Sequence, residues 1–131
     1  MKYLLILLLA VACKGQSNQS DDTVYYLIRH AEKDRSNSNN SNPHLNAMGK
    51  ERAQEWKTRL GDKGINAIYI TDFNRTRETA APLATYLNLE PKIYSATDLY
   101  SKSFKAETKG QTVLIVGHSN TTPAFVNSIL N

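Results

Sequence analysis

Tyr26-Leu27-Ile28-Arg29-His30-Ala31-Glu32-Lys33 decides how this chain reads. A short apolar run stops at Arg29-His30 and a loop follows. A guanidinium and an imidazole thus stand at the carboxyl end of a predicted strand, where ligands bind in open α/β sheets. Two more places in the chain repeat the arrangement. Ile65–Ile70 runs into Thr71-Asp72 and then Arg75, and Thr112–Gly117 delivers His118 to a loop. Two histidines and two arginines at three strand ends point to one site for an anion.

The intervening segments fit helices. Asn46–Leu60 carries Met48, Ala53, Trp56 and Leu60 near helical spacing, with Asn46 as N-cap. Gly61 and Gly64 supply the stop and the turn. Asn74–Leu87 sets Ala80, Leu83, Ala84 and Leu87 on one side, and Pro82 predicts a kink or a tightened first turn. Lys92–Ser95 reads as a short third strand, Asp98–Lys109 as partly helical and Thr112–Val116 as a fourth strand. Thr122 is expected to cap a last helix, with Pro123 at its first position. Thr23–Ile28 reads as a buried strand, and Ser36–Asn42, almost wholly Ser and Asn, as a mobile polar loop. Strands alternating with helices predict a three-layer α/β fold, a mostly parallel sheet with helices on both faces.

At 131 residues there is room for one domain. The amino end reads separately. Lys2 precedes the uncharged apolar run Tyr3–Ala12, too short to span a bilayer well, and Cys13 follows. Ala10-Val11-Ala12-Cys13 resembles a bacterial lipoprotein cleavage box with Cys13 as the lipidated residue; the alternative is a plain signal peptide with an incidental cysteine. The expected layout is a signal peptide over 1–12, a lipidated Cys13 and polar tether over 13–22, and a domain over 23–131. An exported, membrane-anchored lipoprotein is therefore expected. With a single cysteine, no disulfide forms within the chain, so stability rests on packing. Cleavage before Cys13 removes Lys2 and lowers the formal charge from +4 to +3. That mild excess, without a basic stripe interleaved with aromatics, excludes a nucleic-acid partner. The three histidines show no metal-ligand spacing, so neither a zinc site nor a cofactor is expected.

The motifs together resemble the histidine phosphatase superfamily, the branch called phosphoglycerate-mutase-like. Arg29-His30-Ala31 stands where the family has R-H-G, with Ala in place of Gly. Leu45-Asn46-x-x-Gly49-x-x-Arg52-Ala53 resembles its L-T-x-x-G-x-x-Q-A helix start. Arg75-x-x-x-Thr79-Ala80 resembles its second arginine motif, and Gly117-His118-Ser119 its second histidine motif. The resemblance runs in family order from about Val24 to Pro123 and implies a metal-independent phosphomonoester hydrolase acting on a small phosphorylated substrate or a phosphoprotein.

The residues suit that chemistry. A transferring phosphoryl group needs charge stabilisation on its equatorial oxygens, and Arg29 and Arg75 each offer a planar fork of donors. A neutral imidazole can attack phosphorus to give a phosphohistidine. The resemblance gives that role to His30 and makes His118 a donor to the phosphoryl oxygens. It implies an acid for the leaving group from the region before the second histidine, where Asp98 is favoured over Glu78 and Glu107. Glu32 is expected to orient Arg29 or to bind substrate. Two other outcomes stay open: a phosphomutase, and an anchored phosphate-binding or interaction protein without turnover. The family's sheet usually gains another strand after the last helix, so a truncated carboxyl part with exposed apolar surface is expected.

Overall fold

The computed structural model describes residues 21–131; the apolar run, Cys13 and most of the tether lie outside the described residues. Four strands and four helices alternate. They are β1 (Val24–Arg29), α1 (Ala47–Leu60), β2 (Ala67–Ile70), α2 (Asn74–Leu87), β3 (Lys92–Ile93), α3 (Lys102–Thr108), β4 (Thr112–Gly117) and α4 (Thr121–Leu130). The sheet runs in the order β1-β4-β2-β3, and every pairing is parallel. This is the expected three-layer α/β arrangement, a parallel sheet with α1 and α2 on one face and α3 and α4 on the other.

Side-chain alternation in the central strands builds both faces. Leu114 and Val116 of β4, with Ile68 and Ile70 of β2, meet Leu60 of α1 and Ala80, Leu83 and Ala84 of α2. Val113 and Ile115, with Ala67 and Tyr69, meet Phe104 of α3 and Phe125 of α4. Each buried Val, Leu, Ile or Phe among them contributes about 1.5–3 kcal/mol by burial.

The register brings the carboxyl ends together. Arg29 pairs with Gly117, and Ile70 with Val116. Gly117 has no room for a side chain: a Cβ there would lie 2.7 Å from the Tyr94 hydroxyl and 2.9 Å from Thr121 Oγ1.

Several local expectations shift. β1 is an edge strand with one partner, so most of it is half-buried rather than buried. Asn46 caps α1 through Gly49 N–H (2.9 Å), but Met48 is 61% exposed and Gly49 takes the inward place. A Cβ on Gly49 would lie 2.1 Å from the Glu32 carbonyl oxygen, so only glycine lets the first turn of α1 rest on the loop after β1. β3 closes after two residues instead of four. α4 begins at Thr121, one residue before the expected cap, and Pro123 stands third, within the first turn, where a missing N–H costs no helical bond. The Asn-rich loop is held by its own turns, Asn39 N–H to Asn37 Oδ1 and Asn42 N–H to Asn40 Oδ1 (both 3.0 Å). It also docks on α2, because Asn42 Oδ1 accepts the Asn74 N–H at 2.8 Å.

Candidate functional site

Each strand end contributes a side chain to one hollow of about 400 Å³, lined by Arg29, His30, Phe73, Arg75, His118 and the start of α4. The imidazoles of His30 and His118 stand 5.2 Å apart between ring centres. Arg75 lies against the Phe73 ring, its Cζ 4.3 Å from the centroid. Its Nε and Nη1 are buried and have no partner. Buried donors left unpaired cost free energy, more so when charged, and an anion in the hollow would satisfy them.

The loop carrying His30 is fixed from three sides. His30 N–H donates to the Gly117 carbonyl (2.9 Å), which ties it to β4. The buried Ala31 N–H donates to Thr79 Oγ1 (2.9 Å), and that hydroxyl donates to the Arg75 carbonyl (2.6 Å). Asn46 N–H donates to the Glu32 carbonyl (2.9 Å). The methyl of Ala31, where the related motif has glycine, is packed against Leu45 and Ala53.

Hydrogen bonding assigns the His30 tautomer. Nδ1 lies 2.8 Å from the Ala31 carbonyl oxygen, which only accepts, so Nδ1 carries the proton and Nε2 keeps its lone pair. Burial pushes this imidazole below its ordinary value. The bond to Ala31 opposes that shift, and Arg75, Arg29 and Lys33 add to the lowering. His118 is lowered further, to about 4, first by burial and then by Arg75 and His30. Both rings are neutral at neutral pH. His118 Nε2 lies 2.8 Å from Thr71 Oγ1, and the His118 backbone N–H donates to Thr121 Oγ1 (2.9 Å) at the entrance to α4. Thr71, Thr79 and Thr121 support the two rings, a role that the sequence reading did not assign to them although Thr79 stood in the second arginine motif. Thr79 carried a signal: it lies four residues before Leu83, on the buried stripe of α2.

The acids fall elsewhere. Asp98 is exposed and lines a separate hollow with Tyr69, Tyr94 and Glu107, beyond a turn closed from its N–H to the Ser95 carbonyl (3.4 Å). β3 ends too soon to carry Asp98 to the cluster, and from this segment it is Ala96 that lines the anion hollow. Glu32 neither meets Arg29 nor stands free. It takes Arg52 (Nη2–Oε1 2.7 Å, Nε–Oε1 2.8 Å), so Arg52 ties α1 to the loop after β1. Glu78, the less favoured candidate acid, accepts from the Leu45 N–H (2.8 Å) and contacts His44. Arg77 pairs with Asp72 at 2.8 Å. Glu107 accepts from the Tyr69 hydroxyl (2.9 Å) on the other face of the sheet.

Fold and cluster define a class: a parallel α/β protein with two arginines and two neutral imidazoles gathered in one hollow at the carboxyl edge of its sheet. Comparison with known families narrows the class. The chain belongs to the histidine phosphatase superfamily (branch 1), which it matches over residues 25–98. That stretch holds Arg29, His30 and Arg75 but stops short of β4, so His118 joins them through the fold. Solved structures share the architecture at low identity. A candidate phosphohistidine phosphatase, SixA, from Agrobacterium tumefaciens is 22% identical with TM-score 0.66, over 85% of this chain and 79% of that one. The protein histidine phosphatase SixA complexed with tungstate is 16% identical with TM-score 0.64, over 78% and 73%. Mycobacterial glucosyl-3-phosphoglycerate phosphatase is 14% identical with TM-score 0.62, over 79% and 77%. No curated protein sequence matches this chain.

Proposed function

We propose that the protein is a metal-independent phosphomonoester hydrolase in which His30 is transiently phosphorylated. The observation carrying this reading is the fixed tautomer of His30, whose unprotonated Nε2 shares a hollow with the unpartnered donors of Arg75. Arg29 and Arg75 neutralise the equatorial oxygens of the bound phosphoryl group. The His30 Nε2 lone pair forms a bond to phosphorus while the bond to the leaving oxygen breaks. Nδ1–H stays on the Ala31 carbonyl and holds the ring in line. Water then attacks phosphorus, the P–N bond breaks, the lone pair returns to Nε2 and inorganic phosphate leaves. His118 donates to a phosphoryl oxygen. A bound dianion offsets the positive field that keeps its imidazole neutral in the free protein.

No carboxylic acid among the described residues stands free at this hollow to protonate a departing alkoxide. That favours substrates whose leaving group departs without such help. An aryl oxide qualifies. So does the imidazole of a phosphohistidine, a phosphoramidate in which a P–N bond would break in place of P–O, in keeping with the activity named for the SixA neighbours. Turnover of an aryl phosphate should exceed that of an alkyl phosphate by about 10²-fold or more, the usual worth of a missing general acid. Equal rates in a steady-state assay, run with and without chelator, would contradict this.

We also propose export and anchoring through lipid on Cys13, with residues 1–12 removed and 13–22 as tether, on the strength of Ala10-Val11-Ala12-Cys13 alone. Cys13→Ser should move the protein from the membrane fraction to the soluble one. An unmodified Cys13 in the mature protein's mass spectrum would refute the anchor.

A further inference from the structure

Two hollows open side by side at the carboxyl edge of the sheet. Beside the one holding His118 and Arg75 lies another, of about 500 Å³, which runs over Asn46, Arg52 and Trp56 at α1. The two share Arg29, His30, Lys33 and Arg35. The mechanism uses neither Lys33 nor Arg35. Among the described residues, ion pairs take up Arg52, Lys63, Arg77 and Lys92, but none involves Arg29, Lys33, Arg35 or Arg75. The neighbouring carboxylates are engaged. Glu32 holds Arg52, and Asp34, between the two cations in sequence, accepts the Ser36 N–H at 2.8 Å and lines neither hollow.

The backbone under Lys33 is fixed. It bridges Leu45, with Asp34 N–H on the His44 carbonyl (2.8 Å) and Asn46 N–H on the Glu32 carbonyl (2.9 Å). Its charge already reaches the centre, for Lys33 is among the groups lowering both His30 and His118. A phosphoryl dianion answers Arg29 and Arg75. Two positive charges then remain together at the rim of a roomy cleft, and a cleft of one sign concentrates further counter-charge.

We propose that Lys33 and Arg35 form a second anion subsite beside the phosphoryl pocket, and that the substrate is a small phosphorylated compound bearing a second negatively charged group. The inference rests on the phosphoryl-pocket reading above. Arg35 offers a fork suited to carboxylate or phosphate, and Lys33 a movable point charge. The larger hollow houses the organic part, against Trp56.

Equilibrium binding to the full chain tests this without turnover, using propyl phosphate and propane-1,3-diyl bisphosphate as probes. The wild-type protein should bind the bisphosphate about 10-fold or more tighter than the monophosphate, beyond the roughly twofold statistical advantage of two ends. In Lys33→Gln/Arg35→Gln that ratio should fall to about twofold. A wild-type ratio near two, or a ratio unchanged in the variant, overturns the proposal. Should the variant misfold, salt decides: added NaCl must weaken the bisphosphate more steeply than the monophosphate in the wild-type protein, and parallel slopes overturn it. A protein that binds with this preference but hydrolyses nothing contradicts the hydrolase reading alone; one that binds neither probe contradicts both.

Discussion

The two imidazoles reach the same pocket from segments of opposite build. The segment after β1, from His30 to Asn46, is long and nearly without regular structure. It is held by bonds to β4, to α2 and to the start of α1. The segment after β4 is a three-residue turn, His118 to Asn120, that passes straight into α4. His30 therefore depends on residues far away in sequence, whereas His118 depends on its own strand, its own helix and Thr71. Substitutions far from the chemistry should disturb the first segment more than the second.

Removing the rings themselves should give the largest effects. His30→Ala should abolish hydrolysis, a loss of about 10⁴-fold or more for a nucleophile, while His118→Ala should cost about 10²–10³-fold, the scale of one lost oxyanion donor. Equal losses in single-turnover assays would erase the distinction between the two rings. Gly49→Ala comes next. Its Cβ would collide with the Glu32 carbonyl, so α1 or the loop must move, costing roughly 1–3 kcal/mol by chemical denaturation and lowering kcat/KM. An unchanged kcat/KM would show that the His30 segment does not need this close approach.

Thr79→Val is milder and more pointed. It strands the buried Ala31 N–H at a cost of about 1–3 kcal/mol, and should lower kcat more than it raises KM because the His30 ring loses its bearing. Thr71→Val, which touches only the His118 side, should leave the His30 titration in place. An NMR titration that moved His30 instead would reverse the assignment of supports.

The smallest effect is in acid. Both imidazoles are lowered, so over the window from 6.5 down to about 4 the unfolded chain takes up a proton at His118 that the folded one refuses. Stability should therefore fall as pH falls through that window. Phosphate should raise both titrations, since a bound dianion favours the charged rings. Rings that titrate at the free-imidazole value with and without phosphate would contradict the buried, cationic setting.

The layout was legible in the sequence wherever backbone periodicity fixes it. α2 occupies Asn74–Leu87 as its apolar spacing requires, and Arg29, His30, Arg75 and His118 meet because parallel strands present their carboxyl ends together. Legibility failed where position depends on a partner distant in sequence. Met48 had the right spacing for the core, yet the contact of Gly49 with Glu32 turns that face of α1 toward the loop. Arg52 entered only as a position in the helix-start motif, because its partner Glu32 lies twenty residues away. Asp98 fell in the right region, but two short turns decide which way the segment after β3 faces, and hydrophobic periodicity does not encode that.

The most direct measurement is the mass of the protein after brief exposure to a reactive phosphoryl donor, quenched in alkaline denaturant and mapped by peptide. A single phosphoryl group on His30, absent from His30→Ala and retained at a lower yield in His118→Ala, is the expected result. A phosphoryl group on His118 or on no imidazole, while hydrolysis proceeds, would contradict the account.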